Sequence, residues 1–362
     1  MFGFFSSTPQ APPCVPTDRV IPVGYFDDTI IFRTFVMYTT FVFPEVLDTR
    51  SFVPLSRTWS AAPTGTSWQP GYEETPADVG DLDELLDLIH GPDTPKVLND
   101  YLYTDRSELG LRIVSFKNAT VIVLHWIHLA FDAIAKKPLL EVWPLALKGK
   151  RDEIVKPLPL DAYALEDVGK TSTKPHVLAD RQMSVFGIAW WVLRNVCRLA
   201  VRSKEHRMIC VPAKFLAKLK EKALKELGEE VMASTKVTPF LSEGDVLVAW
   251  VTRLSLSTLP EDSKKLVEAY SSLVRRNPRN KPPPLFGDGR MQLLMFANWH
   301  KANIYGFDVS AAAVEPRDTP LLPLYVQNVQ GPYNFTDGII ILGKDTHGNY
   351  WGVMMREMVE DS

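Results

Sequence analysis

Two short apolar runs, Leu111 to Phe116 and Thr120 to Trp126, flank Lys117-Asn118 and constrain this chain more than any other feature. Runs rich in Val, Ile and Leu around a polar dipeptide predict two strands that fold back on each other. The second run passes directly into HWIHLAFDAI, His125 to Ile134. Helical spacing follows over Ala130 to Leu147, although Pro138 and Pro144 limit its continuity. A strand that hands over to a helix in this way predicts an α/β architecture.

The rest of the chain carries the same alternation. Residues 1–20 are proline-rich, Thr29 to Tyr38 reads as a strand running into a helix or loop, and 48–80 has no clear period. Asp81 to Ile89 places four apolar residues on one helical face before Gly91-Pro92. Pro157 to Pro175 reads as a connector. Pro212 opens an amphipathic helix that Gly228 is expected to end, and Ser242-x-x-Asp245 caps another. Arg275 to Pro284 reads as a basic, proline-rich loop. Met291 to Phe296, Ile339 to Leu342 and Tyr350 to Met354 read as strands, the last two joined at His347-Gly348-Asn349. With 362 residues, two halves are expected: 1–180 and 208–362, with a helical crossover at 181–207.

Composition removes several function classes. Forty Lys and Arg against 43 Asp and Glu give a net charge of −3, which predicts no general attraction to nucleic acid. Cys14, Cys197 and Cys210 have no metal or redox spacing, so a reducing, cytoplasmic compartment fits best. The first residues lack a basic segment followed by an apolar one, so secretion is not indicated, and the Asn118 and Asn334 sequons count as coincidence. Val185 to Val201 contains Arg194, Asn195 and Arg198, which excludes a membrane span. Their helical spacing predicts an amphipathic helix packed on a protein surface, in preference to one lying at a membrane interface.

The chemistry concentrates at His125, His128 and Asp132. If the strand continues to His128, side-chain alternation sends the two histidines to opposite faces, and they cannot share a metal. No other His or Cys completes a zinc set at a familiar spacing. Two readings of the motif remain. In one, His128 ends a strand and Asp132 caps the next helix. In the other, His128 is a general base whose ordinary pKa suits neutral pH, with a carboxylate one turn later fixing local geometry. A G-x-S-x-G elbow, a phosphate-binding P-loop and a usable dinucleotide fingerprint are all missing from the sequence.

Four stretches carry a resemblance. HLAFDA at 128–133 resembles the HxxxD motif of the BAHD-type, CoA-dependent acyltransferases, and is closest to their fungal secondary-metabolism branch. LSEGDVLVAW at 241–250, FANWHKANIYGFDVSAA at 296–312 and DDTIIFRTFVMYTTFVFPEVLD at 27–48 are similar to further segments of that family, in the expected order. The resemblance implies a two-domain fold like chloramphenicol acetyltransferase, with mixed sheets and an active-site channel between the halves. It implies acyl-CoA, acetyl-CoA by preference, as co-substrate, with no bound cofactor or metal. The acceptor alcohol would be a terpenoid or polyketide-like small molecule, and the enzyme a cytoplasmic monomer.

The same resemblance assigns roles. His128 would take the proton from the acceptor hydroxyl in a direct transfer. Asp132 would pair with an arginine, and Asp308 would support the architecture. Trp299 either walls the acceptor pocket or packs in the core. Arg275, Arg276, Arg279 and Lys281 either meet CoA phosphates or form a solvated basic loop. The chain departs from the family pattern at Ala133, where glycine is usual, and at Asp308-Val309-Ser310, which replaces D-F-G. It is also shorter, and Leu259 to Asn280 lacks the D-x-R strand that supplies the arginine, leaving Arg253 as the substitute. A working acyltransferase on a reduced scaffold and an inactive relative retaining a binding role are both consistent with these departures.

Overall fold

In chain order the computed structural model carries α1 (Ile30–Thr34), β1 (Val36–Phe43), β2 (Ala77–Asp81), α2 (Leu86–Ile89), β3 (Leu109–Ser115), β4 (Thr120–Ile127), α3 (Lys136–Leu147) and α4 (Val185–Val201). There follow β5 (Lys204–Val211), α5 (Ala213–Met232), α6 (Glu243–Thr252), α7 (Ser263–Arg276), β6 (Leu294–Asn298), β7 (Tyr325–Gly331), β8 (Asp337–Lys344) and β9 (Tyr350–Glu357). The structure describes residues 17, 21–55, 75–156, 159, 162–172, 175–202, 204–232, 240–252, 263–276, 283–331 and 337–357.

The strands form two sheets, the first antiparallel throughout and the second mixed. One sheet has the order β3-β4-β1-β7 and the other β2-β5-β9-β8-β6. Each takes a strand from the opposite end of the chain: β7 joins the first sheet beside β1, and β2 joins the second beside β5. The pairing of β6 with β8 is parallel, and there the chains approach so closely that a Cβ on Gly338 would lie 1.9 Å from the Met295 carbonyl oxygen. Only glycine fits.

Side-chain alternation explains the packing. Along β1, Met37, Phe41 and Phe43 enter one core while Val36 and Tyr38 enter another. The larger core lies between the sheets, where Ile122, Leu124 and Trp126 meet Ile340, Leu342, Trp351 and Val353, with Leu140 and Trp143 of α3 beside them. Burying each such side chain stabilises the fold by roughly 1.5–3 kcal/mol. The β3–β4 hairpin forms as expected, with Ser115 opposite Thr120.

Other elements differ from the sequence reading. The segment from Thr29 begins as helix and continues as strand, because the Thr29 hydroxyl accepts the Phe32 N–H at 3.2 Å and caps α1. α3 starts only at Lys136, which puts Pro138 in the first turn, where a missing N–H is harmless. α5 runs through Gly228 to Met232, at a cost of about 1 kcal/mol relative to alanine there. α6 begins as expected: Ser242 Oγ accepts the Asp245 N–H at 3.2 Å, and Asp245 Oδ2 accepts the Ser242 N–H at 2.8 Å. α4 forms over the expected residues but turns its apolar side outward, leaving Phe186, Trp190 and Leu193 exposed.

Candidate active site

His128 stands one residue past the end of β4, an interior strand of the first sheet, where its N–H donates to the Phe35 carbonyl at 2.9 Å. The chain turns immediately afterwards, with the Ala130 N–H bonded to the Ile127 carbonyl. The imidazole lies flat on Phe32 of α1, with ring centroids 4.3 Å apart and planes 4° from parallel. The residue is half-buried, and Nδ1 is enclosed without a hydrogen-bond partner. Burial holds the imidazole pKa below its ordinary value. Its own main-chain carbonyl, Asp132 and Asp27 pull upward without overcoming that effect, and Lys136 pushes down. The ring is therefore an uncharged base at neutral pH.

His125 occupies the opposite face, as alternation requires. Its ring tilts toward Tyr38, its cross-strand partner in β1, at a centroid distance of 6.5 Å. Gly110 of β3 makes room for it, since a Cβ there would lie 1.9 Å from the ring. Burial, with Arg106 and His90 nearby, pushes its pKa down to about 4. This histidine is a packed core residue.

Asp132 is exposed, and its Oδ1 accepts the Ala135 N–H at 2.7 Å. Among the described residues its hydrogen-bond partner is thus the turn leading into α3, not an arginine. Arg253, the substitute partner, lies outside the described residues. An exposed carboxylate needs no buried counter-charge, so the expected arginine is not required. A second carboxylate, Asp27, sits within electrostatic reach of both His128 and Asp132. Its own pKa is raised by burial, against a hydrogen bond with Tyr163 that favours the charged form.

Lys136, the first residue of α3, was not singled out in the sequence, yet it is fully buried beside these groups. Its ammonium donates to Thr39 Oγ1 at 2.9 Å and lies over the rings of Trp126 and Trp299, 4.9 and 4.6 Å from their centroids. The Thr39 hydroxyl in turn donates to Asn328 Oδ1 of β7 at 2.7 Å, and Asn328 Nδ2 is left buried and unbonded. Desolvation brings the Lys136 pKa down to about 7, against an opposing pull from Asp132. No periodicity reveals this cluster, because Thr39, Trp126, Lys136, Trp299 and Asn328 are far apart in sequence.

Trp299 is 9% exposed, and Lys136 covers one face of its ring. Asp308 builds the turn that replaces D-F-G. Its Oδ1 accepts the N–H groups of Ser310 at 2.9 Å and Leu321 at 3.0 Å, and Oδ2 takes an ion pair from Lys148 at 2.7 Å. Burial alone would raise its pKa, but these bonds outweigh it and hold the carboxyl below the usual range. The stability Asp308 contributes is therefore present at neutral pH and lost as pH falls through the carboxylate range. Asp308→Ala orphans two N–H groups and is expected to lower unfolding free energy by about 2 kcal/mol at pH 7. The deficit should shrink toward acid pH, as urea titrations at several pH values would show.

The basic run at 275–284 does not form the expected loop throughout. Arg275 and Arg276 end α7, and Arg275 donates to the carbonyls of Leu165, Glu166 and Val168 while lying over the rings of Tyr25 and Phe26. It is a packing residue tying the connector to α1's approach. Arg279 and Lys281 lie outside the described residues. Among the described residues no three His, Cys, Asp or Glu side chains converge to hold a metal ion.

No family model matches the chain. It is 26% identical to the transcriptional regulator calD of Penicillium decumbens, over 97% of this chain and 95% of that protein. It is 24% identical to the acetyltransferase adrJ of Penicillium roqueforti, over 96% of this chain and 95% of that one. These alignments span 474 and 473 positions against 362 residues here, so both relatives carry internal segments that this chain lacks. In fold, it superposes on F. graminearum TRI101, solved with coenzyme A and T-2 mycotoxin, with a TM-score of 0.57 at 11% identity, covering 92% of this chain and 94% of that one. The two sheets and this superposition give the chain a two-domain, chloramphenicol-acetyltransferase-like fold, and over nearly its whole length its sequence is similar to proteins named acetyltransferases from fungi.

Proposed function

We propose that the protein is a CoA-dependent O-acyltransferase that moves an acetyl group from acetyl-CoA to a hydroxyl of a terpenoid or polyketide-like metabolite. The carrying observation is His128: a half-buried imidazole, stacked on Phe32, whose surroundings keep it unprotonated. With Nδ1 enclosed, Nε2 is the nitrogen left to meet the acceptor hydroxyl. It removes the hydroxyl proton as the oxygen attacks the thioester carbonyl. The tetrahedral oxyanion then collapses, the carbon–sulfur bond breaks, and the imidazolium returns its proton to the departing CoA thiolate. In this reading Asp132 and Asp308 shape the two segments around the site, and Trp299 borders the acceptor side.

The depressed pKa of His128 gives a pH prediction. The base form persists into mildly acid solution, so kcat/KM should fall only below the ordinary histidine value of 6.5. A pH–rate profile measures this, and an acid limb centred above that value would oppose the assignment. The function itself is tested by mass spectrometry of hydroxylated acceptors incubated with acetyl-CoA and protein. A product heavier by one acetyl group supports it.

A second reading is favoured by the missing internal segments: a relative that keeps the fold and a binding role without turnover. Binding of acceptor with no acetylated product would select it.

A further inference from the structure

The face of the first sheet that turns away from the second is closed by residues 86–106. This stretch holds little regular structure: α2 is four residues long, and Leu98–Asp100 makes one further turn. Ile89 and Tyr101 pack on Val36, Val114, Val121 and Ile127. Two bonds from the sheet add to that contact. The Tyr38 hydroxyl of β1 donates to the Pro95 carbonyl, and Arg112 Nε of β3 donates to the Leu88 carbonyl at 2.9 Å. Gly91 passes directly over the Arg112 guanidinium, where a Cβ would lie 2.1 Å from Nη1. A segment with one-turn helices and few ties belongs to the part of a fold that opens before the rest.

Two histidines flank Tyr38 beneath this cover. His90, on the cover, meets the Tyr38 ring edge-on at a centroid distance of 4.8 Å, and His125, on β4, tilts toward it at 6.5 Å. His90 Nε2 and His125 Nδ1 are enclosed without a hydrogen-bond partner, as is the Tyr101 hydroxyl. A charged imidazole carries a proton on both nitrogens, so at either residue it would bury an N–H with nothing to receive it. The charges acting on the pair are Arg106 on His125, and Lys96 and the opposing Asp87 on His90. Asp100 acts on Tyr38 and Tyr101, and Glu108 on Tyr101. Burial foremost, and then the nearby cations, keep both histidines below their ordinary value, His125 at about 4.

We propose that residues 86–106 form an acid-released cover: protonation of His90 and His125 lifts the segment from the outer face of the first sheet while the two sheets stay packed on each other. The sign follows from proton linkage. Both rings take up protons more readily once uncovered, so closure is fully favoured above the ordinary histidine value and weakens as pH falls below it. Opening uncovers the back of β4, the strand that ends one residue before His128. The inference needs neither the base nor a substrate and is independent of the catalytic reading.

The test is hydrogen exchange of the full chain, followed by mass spectrometry at pH 7, 6 and 5 and corrected for the intrinsic rate at each pH. The reporters are the amides of His90, Thr94 and Leu102, bonded to the carbonyls of Leu86, Gly91 and Leu98 at 2.8, 3.1 and 3.2 Å. With His125 passing from 6.5 when uncovered to about 4 when covered, their protection should fall roughly 20-fold between pH 7 and pH 5. Protection in β8 and β9 should fall much less. His125→Asn, which cannot take the charge, should remove most of the fall, and His90→Asn, at a half-buried position, a smaller part. Each protein is compared with itself across pH, so a less stable variant still reports. Protection over 86–106 that changes no more than in β8 and β9 overturns the proposal, as does the full wild-type fall in either variant.

Discussion

His128→Ala should reduce acetyl transfer by about 10²–10⁴-fold, the range a positioned general base contributes. The loss should fall on kcat, since the imidazole acts on the proton in flight and not on the bound ground state. CoA affinity by calorimetry should stay within a few-fold of wild type. Folding should survive: the residue is half-buried, and the variant loses mainly the stack on Phe32, on the order of 1 kcal/mol. A His125→Ala control separates base chemistry from packing. That ring fills the space above Gly110 on the far face, so its loss should cost stability while leaving residual turnover per folded molecule. A His128→Ala protein with near-normal kcat would remove His128 from the mechanism.

Lys136→Met should have the largest effect on stability, and in the stabilising direction. A lysine whose pKa falls from 10.5 to about 7 on folding is protonated more readily in the unfolded chain. The resulting destabilisation, on the order of 5 kcal/mol, is fully present below pH 7 and fades as pH rises toward 10.5. Methionine fills similar space without the charge but leaves Thr39 Oγ1 without its donor, so a net gain of about 2–4 kcal/mol is expected at pH 7. The rise of wild-type stability between pH 7 and 10.5 should flatten in the variant. Function should respond in the other sense. Without the nearby cation His128 becomes more basic, and the acid limb of kcat/KM should move to higher pH. Chemical denaturation and pH–rate profiles of one variant examine both. A destabilised variant with an unchanged pH profile would mean that Lys136 only ties α3 to β1.

Much of the local structure was legible because it is local. Alternation continued from Thr120 to His128 sent His125 and His128 to different faces, although β4 itself ends at Ile127, and the Ser242–Asp245 pair announced the start of α6 through bonds three residues apart. The order of α1 and β1 was misread because the β-branched run from Thr29 also suits a capped helical turn. Gly228 was misread because a glycine permits the chain to leave a helix without requiring it, and α5 runs on to Met232. α4 was misread for a different reason. Periodicity identifies two faces but does not say which one meets the protein. The cluster around Lys136 was invisible, since it joins β1, β4, β7, α3 and the segment after β6 through tertiary contacts alone.

Release of free CoA from acetyl-CoA by the purified protein, across a panel of hydroxylated terpenoids and polyketides, tests the central claim most directly. Acceptor-dependent release, saturating in both substrates, is the predicted result. It would also show that the internal segments carried by longer relatives are dispensable for turnover. A protein that unfolds cooperatively and binds an acceptor, yet releases no CoA with any member of the panel, would contradict the account.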